Sequence, residues 1–316
     1  MRELLSYGAY LPSGRVDRAE VGATLGSGGG RGSRVVASFD EDSTTMGVAA
    51  ARAALSVLPG TPPRDLYFAT TSPAYLDKTN AAAVHTALGL GGEGFAADLA
   101  GSARSGMAAL VSAAGLGGIA VLADVRTGQP GSADERGGGD AAAAFVFGTG
   151  EAESDGSSAS NGGGASDVGD GADGAIAHVI GRASRTVEVL DRWRSPGRAT
   201  AEVWEERFGY EQYAPLIRAA AAAALKDAGV DAADHVVLVS PNAAVPRRGK
   251  SLVTGTVSTT FSPVGHAGTA DAGVALAAVL DSAEPGQTIL VLSAADGCDA
   301  LVLRTTELLP ARRQPV

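Results

Sequence analysis

An α/β protein made of two copies of one unit follows from the order of the apolar segments along the chain. Each half carries an Ala-rich helix, a strand, a helix nearly free of charge and two further strands, so the same series of elements occurs twice. The strands are continuous apolar runs rather than alternating ones, which puts each sheet under cover on both faces.

In the first half the Ala-rich helix is expected over residues 44–58, then a strand over 66–70, a buried helix over 105–114, and strands over 119–123 and 143–147. The second half repeats this with a helix over 214–228, a strand over 236–240, a buried helix over 268–283, and strands over 289–293 and 300–304. The helices at 105–114 and 268–283 are almost without charge through their first three turns. A helix that is apolar all round must be covered all round, so both are expected between two sheets. The result is a five-layer α/β/α/β/α sandwich with halves 1–150 and 174–316.

Between them, residues 151–173 are rich in Gly, Ser and acidic side chains and cannot bury enough apolar surface to order themselves. A flexible acidic insertion is expected there. The earlier glycine loop from Gly26 to Gly32 lacks the G-K-[ST] ending of a P-loop and the G-x-G-x-x-G spacing, and reads as a surface loop.

With 316 residues, 45% of them hydrophobic, the chain can build a large core, and its length allows two domains of ordinary size. No apolar run reaches the ~18 residues of a membrane span. The first residues, Met1 to Gly8, lack a long apolar signal region, so a cytoplasmic protein is expected. One cysteine excludes an internal disulfide and a thiolate metal cluster, and no metal site is expected. A formal net charge of −10 argues against nucleic acid as a partner.

The segment Ala96-Ala97-Asp98-Leu99-Ala100-Gly101-Ser102-Ala103-Arg104-Ser105-Gly106-Met107 has the form of a strand, a tight turn and the start of a buried helix. It resembles the segment that presents the nucleophilic cysteine in the thiolase superfamily, closest to the archaeal-type 3-hydroxy-3-methylglutaryl-CoA synthases and the ketoacyl synthase III group. The likeness extends over nearly the whole chain. Ser38-Phe39-Asp40-Glu41-Asp42-Ser43-Thr44-Thr45-Met46 is similar to the family's S-Y-D-E-D-x-x-T-M, and Ser105-Gly106 to the S-G of its C-x-S-G. Ser240-Pro241-Asn242-Ala243-Ala244-Val245-Pro246 resembles H-Q-P-N-x-x-x-P, Gly265-His266-Ala267-Gly268 resembles G-N-x-G, and residues 293–300 resemble the closing glycine-rich strand pair.

Carried over residue by residue, the resemblance puts the nucleophilic cysteine at Ala103, the histidine at Val239, the asparagine at His266 and the general-base glutamate at Thr71. All four positions depart from the family pattern. A methyl group cannot form an acyl-enzyme, so ping-pong condensation at residue 103 is excluded. Aldol or retro-aldol chemistry on an acyl-CoA needs only a base and donors for an oxyanion.

His266 is the candidate acid–base group, since imidazole titrates near neutrality; a structural histidine at a buried turn is the other reading. Ser102 and Ser105 are the hydroxyls nearest the lost nucleophile. Ser105 is expected to cap the buried helix, and Ser102 would serve a serine-dependent acyltransferase if a base stood beside it. Arg104 is costly to bury alone and should meet a carboxylate, phosphate or solvent. Tyr75 and Asn242 fall in matched segments and are expected, with Arg104, to line the pocket around Thr71, Ala103 and Val239. His85, His178 and His235 lie outside the matched motifs and read as structural or surface residues.

Arg247, Arg248 and Lys250 could hold the phosphates of coenzyme A, or form a solvated basic turn. Asp191-Arg192-Trp193-Arg194 resembles a D-x-W-R segment beside the family's CoA entrance, and an indole between two guanidiniums is a reasonable adenine-stacking surface. The resemblance further implies a homodimer, a CoA thioester as ligand with no covalently bound cofactor, and a separate zinc-ribbon/OB-fold acyl-CoA-binding protein or an acyl carrier protein as partner. No Cys-x-x-Cys occurs in this sequence, so such a module is expected on another chain or as a piece cut away. The expected function is a thiolase-fold carbon–carbon bond enzyme acting without a cysteine acyl-enzyme. A non-catalytic subunit or scaffold, and a serine-dependent acyltransferase, are the alternatives.

Overall fold

A computed structural model describes residues 2–26, 32–58, 60–149, 174–258 and 264–314. The acidic stretch 151–173 and residues 27–31 of the glycine loop lie outside the described residues. The first half contains β1 (Glu3–Tyr10), β2 (Gly14–Asp17), α1 (Arg18–Leu25), β3 (Ser33–Val36), α2 (Ser43–Ser56), β4 (Leu66–Ala69), α3 (Asn80–Ala87), β5 (Ala96–Leu99), α4 (Arg104–Leu116), β6 (Gly118–Asp124), α5 (Ala133–Gly137) and β7 (Ala141–Gly148). The second contains β8 (Ala177–Thr186), β9 (Arg192–Trp193), β10 (Glu202–Val203), α6 (Glu206–Ala228), β11 (His235–Val239), α7 (Ala244–Arg247), β12 (Thr256–Ser258), α8 (Asp271–Leu280), β13 (Thr288–Ser293) and β14 (Gly297–Thr305).

Ten strands follow the order β12-β11-β13-β14-β8-β1-β7-β6-β4-β5, while β2–β3 and β9–β10 form two small ribbons. Outward from the β8/β1 junction, each half runs through two antiparallel pairings and then two parallel ones. The duplication read from the apolar segments is therefore present in the strand pairing itself. At the junction the halves share one bridged residue pair, Leu4 with Ala177.

Three apolar clusters account for the layers. One packs α2 and α3 on the outer face of the first half, through Met46, Ala50, Phe68 and Val84. Another packs α6 on the outer face of the second, through Tyr213, Ile217 and Leu290. The largest fills the centre, where Met107 and Leu110 of α4 and Val274, Leu276 and Leu280 of α8 meet strands from both halves. This is the expected five-layer sandwich.

Local causes are visible in the sequence. Asp42 opens α2 with a capping box, accepting from Thr45 N at 2.7 Å while Thr45 Oγ1 accepts from Asp42 N at 2.8 Å. Gly106 lets the central layer close, because a Cβ there would lie 2.2 Å from the Thr269 carbonyl oxygen.

Two elements differ from expectation. The segment 268–283 is a 3₁₀ turn, Gly268–Ala270, followed by α8, because the chain must deliver Thr269 to the Asp124 carboxylate before the helix begins. The helix expected from residue 214 begins at Glu206 and runs through Pro215. Its first turns are held by tertiary contacts, with Asn242 Nδ2 donating to Glu206 O at 3.0 Å and the Tyr213 hydroxyl to Asp191 at 2.9 Å. No helix among the described residues is long and apolar enough to cross a membrane.

Candidate active site

Parallel strands carry ligand sites beyond their carboxyl ends, and the cavity lies there. It is bounded by Thr71 after β4, Val125 and Arg126 after β6, Pro241 after β11, and Gly101, Ser102 and Ala103 in the turn before α4. Arg192, Trp193 and Arg194, from the β9 ribbon and the residue after it, form another wall with Asp191, and His266 and Tyr213 complete it.

The turn before α4 depends on Gly101, whose φ of +133° suits no side-chain-bearing residue. Ala103 sits at the helix entry without a side-chain cap. Ser105 N donates to Ser102 O at 3.0 Å, Gly106 N to Ala103 O at 3.2 Å, and Arg104 N approaches Ser102 Oγ at 3.4 Å. Ser105 is thus buried in the first turn and is not the cap expected of it; Ser102 makes the weak capping contact. These three N–H groups are turned back into the chain and are not offered to a ligand.

The carboxylate Asp124 organises the floor. It is fully buried and accepts from Thr70 Oγ1 at 3.0 Å, Thr71 N at 2.6 Å, Thr71 Oγ1 at 2.8 Å and Thr269 N at 2.8 Å. Thr71, where the resemblance places a general base, is therefore bound to this carboxylate, and it also accepts from Arg126 Nη1 at 3.2 Å. It holds the loop and carries no basic group.

His266 is buried, and its Nδ1 edge hydrogen-bonds Asp271 Oδ2. Asp271 is fixed in turn by Ala267 N, which donates to Oδ1 at 2.7 Å. A carboxylate on Nδ1 accepts the hydrogen bond of that nitrogen, which leaves the Nε2 lone pair as an acceptor. Among the described residues Nε2 has no hydrogen-bond partner.

Above the floor, Arg192 clamps Asp134 through two bonds, Nη1–Oδ1 at 2.9 Å and Nη2–Oδ2 at 2.6 Å. Burial alone would raise the Asp134 carboxyl, but Arg192, with Arg126 and His266, holds it below the usual carboxylate range. Asp191 is driven the other way: burial raises it against the hydrogen bonds from Tyr213 and Asn242. Arg194 donates to the Thr71 carbonyl.

Of the residues expected at the site, Thr71, Ser102, Ala103, Arg192, Trp193, Arg194 and His266 come together in this cavity. Arg104 and Ser105 line an adjoining open groove that shares Ser102 and Arg192 to Arg194. Arg104 meets a carboxylate, Asp299. Tyr75 does not line the cavity: its segment, held by Asn80, leaves the ring 57% exposed. Val239 and Asn242 are buried in the packing behind it, Asn242 donating to Glu206 O and accepting from Ala244 N. Arg247, Arg248 and Lys250 line a separate groove with Pro246 and Val257. There Arg247 pairs with Glu206, and Arg248 lies 4.5 Å over the Tyr210 ring.

Sequence reading missed Arg126, Asp134 and Asp271. A signal for the first existed, because Asp124-Val125-Arg126 places two charges directly at the carboxyl end of an apolar strand. Among the described residues no group of three His, Cys, Asp or Glu side chains is placed to hold a metal ion.

No protein-family model matches the chain. It is 30% identical to the hydroxymethylglutaryl-CoA synthase of Pyrobaculum aerophilum, over 98% of this chain and 89% of that protein. It is 28% identical to the same enzyme of Archaeoglobus fulgidus, over 97% and 90%. Its structure is similar to 3-oxoacyl-(acyl carrier protein) synthase III of Pseudomonas aeruginosa, with a TM-score of 0.79 at 19% identity over 96% of this chain and 98% of that one. An HMG-CoA synthase complexed with CoA superposes with a TM-score of 0.74 at 14% identity, covering 100% of this chain and 88% of that one.

Proposed function

Since the chain belongs to the hydroxymethylglutaryl-CoA synthase family of thiolase-fold condensing enzymes, we propose that its cavity binds an acyl thioester and makes or breaks a carbon–carbon bond by aldol chemistry without an acyl-enzyme. The observation that carries this reading is the His266–Asp271 pair, with a buried and unpartnered Nε2 on a residue that lines the same cavity as Ala103. The CoA and 3-hydroxy-3-methylglutaryl-CoA complexes of two structural neighbours support a CoA thioester as the ligand.

In the retro-aldol direction, His266 Nε2 takes the proton of a 3-hydroxyl. The C2–C3 bond breaks as that oxygen becomes a ketone or aldehyde carbonyl. The electron pair passes into the thioester as an enolate, and a proton returned to C2 completes the balance. Arg192 and Arg194 around the cavity favour the negative charge that develops. Ala103 keeps the thioester intact because it offers no nucleophile.

The test is release of a ketone or aldehyde from a 3-hydroxyacyl-CoA, with the intact protein mass unchanged throughout. His266→Ala should lower that rate by roughly 10²-fold or more, the usual scale for a lost general base. Full activity in His266→Ala removes its role.

Ser102 favours a second reading, because it lines the cavity with His266 and Asp271 stands behind that histidine. A stable acyl ester on Ser102 would move the assignment to serine-dependent acyltransfer. Thioester binding with no turnover would instead identify a non-catalytic subunit. The same proposal includes a cytoplasmic homodimer that receives its thioester from a separate zinc-ribbon/OB-fold protein or an acyl carrier protein. Strand β5 at the end of the sheet, preceded by the exposed Phe95, supports the dimer.

A further inference from the structure

Arg126 and Arg104 present the same edge of the guanidinium to very different surroundings. Arg104 uses Nε and Nη2 to grip Asp299 side-on, at 2.7 and 2.9 Å. That edge is the fork that matches the two oxygens of a carboxylate. In Arg126, whose side chain is only 9% exposed, both Nε and Nη2 are without a hydrogen-bond partner among the described residues. Its remaining nitrogen is spent on Thr71 Oγ1.

The nearby acids do not fill the fork. Asp124 lies 3.9 Å from Nη1 and is committed to threonine and backbone donors. Asp134 lies 3.8 Å from Nη2, with its oxygens held by Arg192. A buried donor fork on a residue that lines the cavity is costly to leave empty unless a ligand or water completes it. A single oxyanion oxygen would use one of the two N–H groups, whereas a carboxylate uses both.

We propose that Arg126 is the specificity residue of the cavity and that its Nε–Nη2 edge binds a carboxylate carried on the acyl group of the thioester. The assignment rests on the proposed thioester function and narrows its substrate class to acyl groups with a free carboxylate. Arg126 touches this substrate group and takes no part in bond breaking.

Calorimetry with succinyl-CoA and butyryl-CoA tests it on the unaltered protein, since the acyl chains are of equal length and differ by the terminal carboxylate. Succinyl-CoA should bind at least tenfold more tightly, and Arg126→Gln should remove the difference while leaving butyryl-CoA affinity unchanged. Equal affinity of the two thioesters for the parent protein overturns the assignment even if Arg126→Gln fails to fold. If neither thioester binds, glutarate alone separates the causes. A rise in melting temperature with glutarate that is lost in Arg126→Lys keeps the carboxylate fork and overturns the thioester reading; no rise in the parent overturns the fork.

Discussion

Arg104 and Asp299 join the two halves of the molecule directly behind Ala103, through Nε–Oδ2 at 2.7 Å and Nη2–Oδ1 at 2.9 Å. Arg104 also donates from Nη1 to Asp296 O at 2.7 Å, so one side chain ties the entry of α4 to the start of β14. Removing it as Arg104→Ala should cost about 2 kcal/mol, the scale of hydrogen bonds to a charged group. Asp299→Ala should cost a similar amount, and the double variant should be less destabilised than the sum in denaturant melts. Additive losses would show that the two side chains act separately.

Gly106 predicts a steric effect. A methyl group at this position would meet the Thr269 carbonyl at 2.2 Å and Leu122 Cδ2 at 3.1 Å. The first neighbour is backbone and cannot swing aside, so Gly106→Ala should destabilise by about 2 kcal/mol, within the range for overpacked cores. An unchanged melting temperature would mean that the central helices slide apart without penalty.

The Asp134–Arg192 pair sets part of the acid limb of stability. In the folded protein the Asp134 carboxyl titrates below its ordinary value, so it stabilises the fold above the unfolded-state value near pH ~3.9, and that contribution is lost as pH falls through the folded value. In Arg192→Ala the buried carboxylate loses its two donors. Stability should then decline at a higher pH than in the parent, in urea melts taken from about pH 7 down to about pH 3. Superimposable acid limbs would count against the pair.

Cys298 provides a readout of opening. It is fully buried in β14, and burial, with Asp299 adding to it, pushes its thiol up to about 12. Alkylation by iodoacetamide near pH ~8 should therefore be undetectable in the folded protein and complete in denaturant, because the thiolate is the reactive form. Rapid labelling of the native protein would contradict its placement.

How far the sequence reaches depends on the kind of segment. Residues 119–123 and 289–293 are unbroken apolar runs, and they lie within β6 and β13. By contrast β1 and β8, which carry the join between the halves, mix apolar with polar and glycine residues and give no comparable signal. At the site, Ala103 and His266 were legible because each sits in a motif of fixed spacing. Asp271 lies five residues beyond His266, inside a segment that reads as uniformly apolar. Asp134 and Arg192 are separated by 58 positions, so only the folded chain shows that they form one clamp beside Arg126.

The central position of α8 has a kinetic consequence. Every residue of this helix except Ala278 is buried, and it packs against β1 and β7 as well as β11 and β13. During synthesis the inner face of the first sheet emerges long before the segment that will cover it. That face must wait, exposed or transiently shielded by other chains, until residues 271–280 arrive. Contacts this distant in sequence slow folding and prolong aggregation-prone intermediates. Refolding should consequently be slow and sensitive to protein concentration, and chaperones that shield apolar surface should raise its yield.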